Sequence, residues 1–255
     1  MKDPIIIIGL GELGSVFARG FLRLGYPVQA VTREMDSNLV AKSIPNPTAV
    51  LIAVGEADIA ETLANLPNSW KEQAILLQNE LLPRDWQAAK ISDPTVISVW
   101  FEKKKGMDSK VVLPSPIYGA NSKLVFDALA QVDLPSYIID TPEELTYELV
   151  RKNLYILTTN IAGLEVGGNV DALANQHNSV MQAVASDVLD IQDWLTDTQN
   201  DRARLMEGLL EAINGDLEHG CMGRSAPARL SRAIGFADQA GLQVNTLRTI
   251  AAKHL

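Results

Sequence analysis

The first apolar run of the chain, Ile5-Ile6-Ile7-Ile8, is four β-branched residues bounded by Pro4 and Gly9. A continuous run of this kind predicts a strand buried on both faces, as in the middle of a parallel sheet. From Val16 the spacing changes to that of a helix, with Phe17, Gly20, Phe21 and Leu24 on one side, and Gly25 and Pro27 mark its end. Short apolar runs then predict strands over 28–32, 49–54, 74–77, 95–101, 110–113 and 137–140. Helical spacing falls between them over 57–66 and 121–132, with a weaker segment over 37–43. Pro114, Pro116 and Gly119 punctuate the stretch after residue 113, which suits an edge strand. At Thr141 the texture changes. Thr141-Pro142-Glu143-Glu144 reads as a helix start, with Thr141 as N-cap, Pro142 in the first turn and Glu144 completing a capping box. Leu145, Leu149, Val150, Leu154, Leu157 and Ile161 then line one face of a long helix. Further helices are expected over 171–192, over 199–219, after Ala226 and over 246–253.

The first strand runs into Gly9-Leu10-Gly11-Glu12-Leu13-Gly14, a Gly-x-Gly-x-x-Gly between strand and helix. Gly9 suits a tight turn, Gly11 lets a pyrophosphate approach the backbone, and Gly14 lets the helix pack on the strand. The free N–H groups and positive end of that helix would hold the phosphate charge. With strand before and helix after, the motif predicts a dinucleotide site built from these six residues. The layout is therefore α/β: an N-terminal Rossmann-type doubly wound parallel sheet over 1–140, followed by an all-α C-terminal domain over 141–255.

The end of the second strand bears on the cofactor. A binder of NAD usually places a carboxylate there for the ribose 2′-hydroxyl. Here the residues are Thr32-Arg33, a hydroxyl and a guanidinium, which suit a 2′-phosphate and favour NADP, although Glu34 follows one position later. The strand over 74–77 leads to Gln78-Asn79, and strand ends of an open α/β sheet face the ligand crevice, so Asn79 is either a site residue or a turn asparagine.

Composition narrows the options. The chain has 255 residues, 47% hydrophobic and 21% charged, as in an ordinary globular protein. Its net charge of −9 gives no support to nucleic-acid binding, and Lys103-Lys104-Lys105 reads as a solvated loop. Cys221 is the sole cysteine, so neither an intrachain disulfide nor a thiol cluster is expected, and it reads as a buried or incidental thiol. His177, His219 and His254 are too scattered for a ligand set, and all three read as surface or helix-packing residues, so no metal is expected. No apolar run approaches membrane-spanning length, and a cytoplasmic protein is expected.

On the long helix Lys152 and Asn160 are eight residues apart, about 12 Å by helix rise and near one face, with Ile156 between them. A lysine beside a nicotinamide can donate a proton to a ketone oxygen and stabilise the developing alkoxide. The competing reading is an i,i+4 pair of Glu148 with Lys152 on a solvated face.

Together these residues resemble the ketopantoate reductases, the NADP-dependent 2-dehydropantoate 2-reductases of pantothenate biosynthesis. Gly9 to Gly14 resembles that family's Gly-x-Gly-Ala-Leu-Gly loop, and Arg33 falls where the family reads the 2′-phosphate. The Leu-Leu-Gln-Asn run ending at Asn79 resembles a family strand ending in Asn-Gly, and Glu148 to Lys152 resembles its Trp-x-Lys helix. The resemblance implies an oxidoreductase with Lys152 as general acid, NADP as cofactor, and Asn79, Asn160 and, with one gap, Asn169 as substrate-binding residues. Four departures concern the substrate. Glu80 replaces the glycine after Asn79, Ile156 an asparagine four residues after the lysine, Gly215 a serine, and Ala226-Pro227 a Thr-Glu pair. The expectation is a reductase of a small 2-oxo acid or related ketone, with the cleft between the domains holding nicotinamide and substrate and a homodimer as a plausible assembly. Two alternatives stay open: a different carbonyl substrate, or an NADP-binding sensor or partner-binding protein without catalysis.

Overall fold

The computed structural model describes every residue except Met1 and Gln78, so the Gln78 half of the expected Gln78-Asn79 strand end lies outside the described residues. The chain divides into two compact units, Met1–Glu148 and Leu149–Leu255. The first carries β1 (Ile5–Ile8), α1 (Glu12–Arg23), β2 (Val28–Val31), α2 (Ser37–Ser43), β3 (Ala49–Ile52), α3 (Ile59–Ala64), β4 (Ala74–Leu76), α4 (Pro83–Ala88) and β5 (Thr95–Ile97). It continues through β6 (Phe101–Glu102), β7 (Lys110–Val111), β8 (Ser115–Tyr118), α5 (Ser122–Ala130) and β9 (Ser136–Ile138).

Seven of these strands form one sheet in the order β2-β1-β3-β4-β5-β8-β9, and β6 and β7 pair separately. The first five run parallel. β8 is antiparallel to β5 and parallel to β9. The isoleucine run sits between β2 and β3, which is why all four of its side chains are buried. Alternation along the strands then sorts the faces. Ile5 and Ile7, with Leu51, Ile75, Ile97 and Ile117, join Phe17 and Phe21 of α1 and Val125 and Leu129 of α5 in one core. The chain leaves β1 to form β2 on one side and β3 on the other. The topological switch point of the sheet therefore lies at the end of β1, where the glycine loop begins.

Two strand expectations change. The run over 95–101 divides into β5 and β6, because the chain leaves the large sheet to form the hairpin with β7. Pro116 was expected on an edge strand, yet β8 lies inside the sheet. Its register explains the tolerance. The Pro116 carbonyl accepts from the Ser98 N–H at 3.1 Å, and the N–H that proline lacks falls opposite Ser98, just beyond the last residue of β5.

The second unit is helical. α6 (Pro142–Val166) starts seven residues before the division and begins as expected, with Thr141 Oγ1 accepting from the Glu144 N–H at 3.2 Å. Then follow α7 (Val170–Asn175), α8 (Asn178–Thr196), α9 (Arg202–Gly215), α10 (Ala226–Ala240) and α11 (Asn245–His254). The single helix expected over 171–192 is thus two, separated at Gln176 and His177, whose N–H groups both return to the Ala172 carbonyl. The stretch over 199–219 keeps its helix only from the Asp201 cap to Gly215. Buried polar side chains tie α6 to its neighbours. Asn153 Nδ2 donates to Gln192 Oε1 of α8 at 3.1 Å, and Arg151 donates to the Gly208 carbonyl and Glu211 of α9 at 3.2 and 2.8 Å. Among the described residues no helix is long and apolar enough to cross a membrane.

The packing of α1 on α5 depends on Gly20, where a Cβ would stand 2.3 Å from the Ala128 carbonyl oxygen. Gly20→Ala should therefore destabilise the protein by about 1–3 kcal/mol, despite the better helix propensity of alanine. Thermal unfolding of the variant checks this, and an unchanged or raised midpoint would contradict the packing described.

Candidate active site

The loop between β1 and α1 is tightly packed at two of its glycines and open at the third. Gly9 takes φ +91°, and a side chain there would meet the Ala53 carbonyl oxygen at 2.7 Å. A Cβ on Gly14 would lie 2.2 Å from the Gly9 carbonyl oxygen, so the first turn of α1 packs directly against the end of β1. At Gly11, by contrast, a Cβ would meet nothing within 4 Å. Space in front of this backbone, with the N-terminal N–H groups of α1 beside it, fits an anionic ligand. Leu10 and Glu12 are exposed and Leu13 is half-buried, packed against the core. The Glu12 carboxylate lies 3.5 Å from Lys103 Nζ, which also donates to the carbonyls of Lys104 and Met107. Lys103 is thus held at the glycine loop rather than in solvent. The lysine run gave no sign of this, because the contact depends on the β6–β7 hairpin.

Beyond β2, Thr32 and Arg33 are exposed, and Arg33 Nη2 bonds Asp58 Oδ2 at 2.7 Å. Arg33 follows β2 and Asp58 follows β3, and β1 lies between those strands, so the pair spans the end of β1. Asn79 is half-buried, its Nδ2 donating to Glu56 Oε1 at 3.3 Å. Glu80 takes φ +65°, the conformation that glycine adopts most readily. Such strain in a residue with a side chain is held in place by its surroundings and clusters at functional sites.

In the helical unit Lys152 is half-buried on α6, its Nζ 6.0 Å from the centroid of the Tyr155 ring. Tyr155 in turn lies 6.3 Å from the ring of His219, whose Nδ1 is 3.6 Å from Asp216 Oδ2. Asn160 is buried. Its Nδ2 donates to the Cys221 carbonyl at 3.3 Å, and its Oδ1 accepts from Arg229 Nη1 at 2.8 Å. Asn169 caps α7, accepting from the Ala172 N–H at 2.9 Å, and its backbone forms a bridge with Gly220. Lys152, Asn160 and Asn169 are thus linked, through Tyr155 in the first case, to the short strip over 216–221. Ile156 is buried on α6, Gly215 closes α9, and Pro227 lies exposed in the first turn of α10. Arg229, which sequence reasoning did not single out, enters this part of the structure through its contact with Asn160. Among the described residues no group of three or more His, Cys, Asp or Glu could hold a metal ion.

No protein-family model and no curated protein sequence matches this chain. Solved structures do. A PanE/ApbA family ketopantoate reductase from Ralstonia eutropha JMP134 superposes with a TM-score of 0.69 at 13% identity, covering 99% of this chain and 97% of that one. The fold is the one these reductases share. A dimeric ketopantoate reductase from Staphylococcus aureus gives a TM-score of 0.68 at 15% identity, with 98% and 96% covered. D-mandelate dehydrogenase, in a ternary structure with NADH and anilino(oxo)acetate, gives 0.67 at 11% identity, with 97% and 96% covered. At such identities the likeness is one of fold, an N-terminal Rossmann-type sheet and a helical second part.

Cys221 is fully buried, and burial pushes its thiol up to about 11. The thiolate, the reactive form, is therefore scarce at neutral pH. A disulfide reagent should label the native protein slowly at neutral pH and rapidly after denaturation. Immediate labelling of the native protein would contradict the burial described.

Proposed function

We propose that the protein is an NADPH-dependent reductase of a small 2-oxo acid or related ketone, similar to the ketopantoate reductases. The observation that carries this reading is the β1–α1 junction. Gly9 and Gly14 are there closed by sterics, Gly11 is open, and the whole loop lies at the switch point of the sheet. This arrangement fits a dinucleotide pyrophosphate on Gly9, Leu10, Gly11, Glu12, Leu13 and Gly14. Thr32 and Arg33 at the end of β2 would receive the 2′-phosphate of NADP, with Asn79 at the end of its own strand contributing to both cofactor and substrate. Binding the 2′-phosphate would draw Arg33 away from Asp58, a modest loss because the pair is solvent-exposed.

When bound, the cofactor supplies hydride to the carbonyl carbon. The proton is the work of this chain. Lys152 Nζ would donate it to the ketone oxygen as negative charge develops there, leaving a 2-hydroxy acid and a neutral amine that solvent reprotonates. Asn160 and Asn169 would orient the substrate, Asn160 through an amide already fixed by Arg229 and Cys221. The replacements at Ile156 and Pro227 make the substrate surroundings more apolar than the asparagine and Thr-Glu of the ketopantoate reductases would.

Lys152→Ala should lower kcat by at least about 100-fold while leaving the Kd for NADPH unchanged. Equal losses in both would remove Lys152 from the chemistry. Cofactor choice is read separately. Arg33→Ala should weaken NADPH by about tenfold or more and leave NADH alone, while Asp58→Asn should tighten NADPH a few-fold. Fluorescence titration of the two cofactors measures both, and indifference of NADPH affinity to Arg33 would point to NADH instead.

A further inference from the structure

Lys103, Lys104 and Lys105 follow β6, and the hairpin treats them differently. Phe101 of β6 lies in the core and packs on Phe17 of α1, ring centroids 6.3 Å apart, which fixes the hairpin beside the first half of α1. Alternation along the strand, carried one residue further, puts Lys103 on the Phe101 side, toward α1. Glu102 and Lys104 take the other side and pair with each other at 3.0 Å, and Lys105 is exposed. The Lys103 side chain is accordingly 21% exposed, against 67% for Lys104. Its ammonium has three donors. One goes to the Lys104 carbonyl at 2.9 Å and another to the Met107 carbonyl, so the turn of the hairpin sets its position. The remaining side of the ammonium faces the Glu12 carboxylate at 3.5 Å, an ion pair too long to be a strong hydrogen bond. Glu12 is the first residue of α1, among whose N–H groups an anion would be held. The space in front of Gly11 stays clear, since a Cβ there would meet nothing within 4 Å. A cation held by backbone carbonyls thus stands at the start of α1 and leaves the open glycine face unfilled.

We propose that Lys103 is a ligand of the dinucleotide's pyrophosphate, paired with Glu12 while the cofactor is absent. The inference rests on the dinucleotide reading of the glycine loop. The helix start offers a pyrophosphate only partial positive charge, and the Glu12 carboxylate beside it would repel the incoming anion. Lys103 answers both. It offsets the carboxylate, and its flexible four-carbon stem carries a full positive charge that can turn from Glu12 to a phosphate oxygen. The exchange favours the phosphate. Giving up Glu12 costs little because that side chain is 44% exposed, whereas a bond between ammonium and phosphate is charge-assisted on both sides. Pyrophosphate is common to NADH and NADPH, so Lys103 should strengthen both equally and take no part in choosing between them. That sets it apart from Arg33, whose proposed ligand is the 2′-phosphate alone.

The test is calorimetric titration, at low and high salt, with NADPH, NADH and ADP-ribose, the last carrying the pyrophosphate without the nicotinamide. Lys103→Met should weaken all three by one common factor of about ten and make their binding less sensitive to salt. Lys103→Arg should keep most of the affinity, and Glu12→Gln should tighten all three a few-fold. A loss confined to NADPH would move the lysine to the 2′-phosphate and overturn the proposal. A loss for both cofactors that spares ADP-ribose would move it to the nicotinamide end and overturn it as well. Unchanged affinities in Lys103→Met would overturn the proposal while leaving the reductase reading in place. Equal weakening of the three ligands, with no carbonyl reduced by the wild type, would uphold the role of Lys103 and overturn the reductase reading. Failure of the wild type to bind any of them would overturn both. Intact folding is checked by the thermal midpoint. If Lys103→Met does not fold, Glu12→Gln decides, since unchanged affinities there would count against the proposal.

Discussion

The first unit depends on how closely the first turn of α1 approaches the end of β1. No side chain fits at position 14, where even a methyl group would sit 2.2 Å from the Gly9 carbonyl oxygen. That approach sets α1 against the strand and places Phe17 and Phe21 over Ile5 and Ile7. The same helix then meets α5 at Gly20, and α5 covers the sheet beside the antiparallel strand β8. One steric constraint at the loop thus fixes both the backbone at the start of α1 and the position of the helix on the sheet. The open face at Gly11 is the other half of the arrangement, since close packing everywhere would leave nowhere for a phosphate.

The helical unit is organised around polar groups on α6, and those groups divide by their partners. Arg151 and Asn153 are spent on α9 and α8, and they hold the helix in place. Asn160 is committed as well, but its partners are a backbone carbonyl and an arginine from α10. Buried polar networks of this kind are costly unless satisfied, and satisfied they fix one arrangement of their members. Removing Asn160 would therefore take a donor from the Cys221 carbonyl and an acceptor from Arg229. Asn169 serves the same strip from the other side, capping α7 and pairing with Gly220.

The sequence carried most of this fold where a local signal matched the tertiary environment. The isoleucine run, the glycine spacing and the Thr141 cap each act within a few residues, and each is found where the pattern places it. What the sequence hid was non-local. Pro116 sits inside the sheet because its missing N–H falls beyond the end of β5, a matter of register between strands. α4 is short and starts from Leu82, whose N–H donates to Asp85, so its few residues carry too little periodicity to stand out. Glu80 holds a left-handed backbone conformation that a glycine would adopt more easily, and nothing in its side chain signals this. Of the candidate site, the glycine loop was legible because one motif contains it. The contact between Asn160 and Arg229 was not, because the two residues lie sixty-nine positions apart in the chain.

The measurement that tests the account most directly is consumption of NADPH by the purified protein with ketopantoate and a series of smaller and more apolar 2-oxo acids, followed at the nicotinamide absorbance with the product quantified. The account predicts turnover on at least one of them at an ordinary enzymatic rate, about 1–10³ per second, with one 2-hydroxy acid formed per NADPH oxidised. Tight NADPH binding with no carbonyl reduced would contradict it, and would make the protein a nucleotide-binding module whose α6 lysine serves something other than proton transfer.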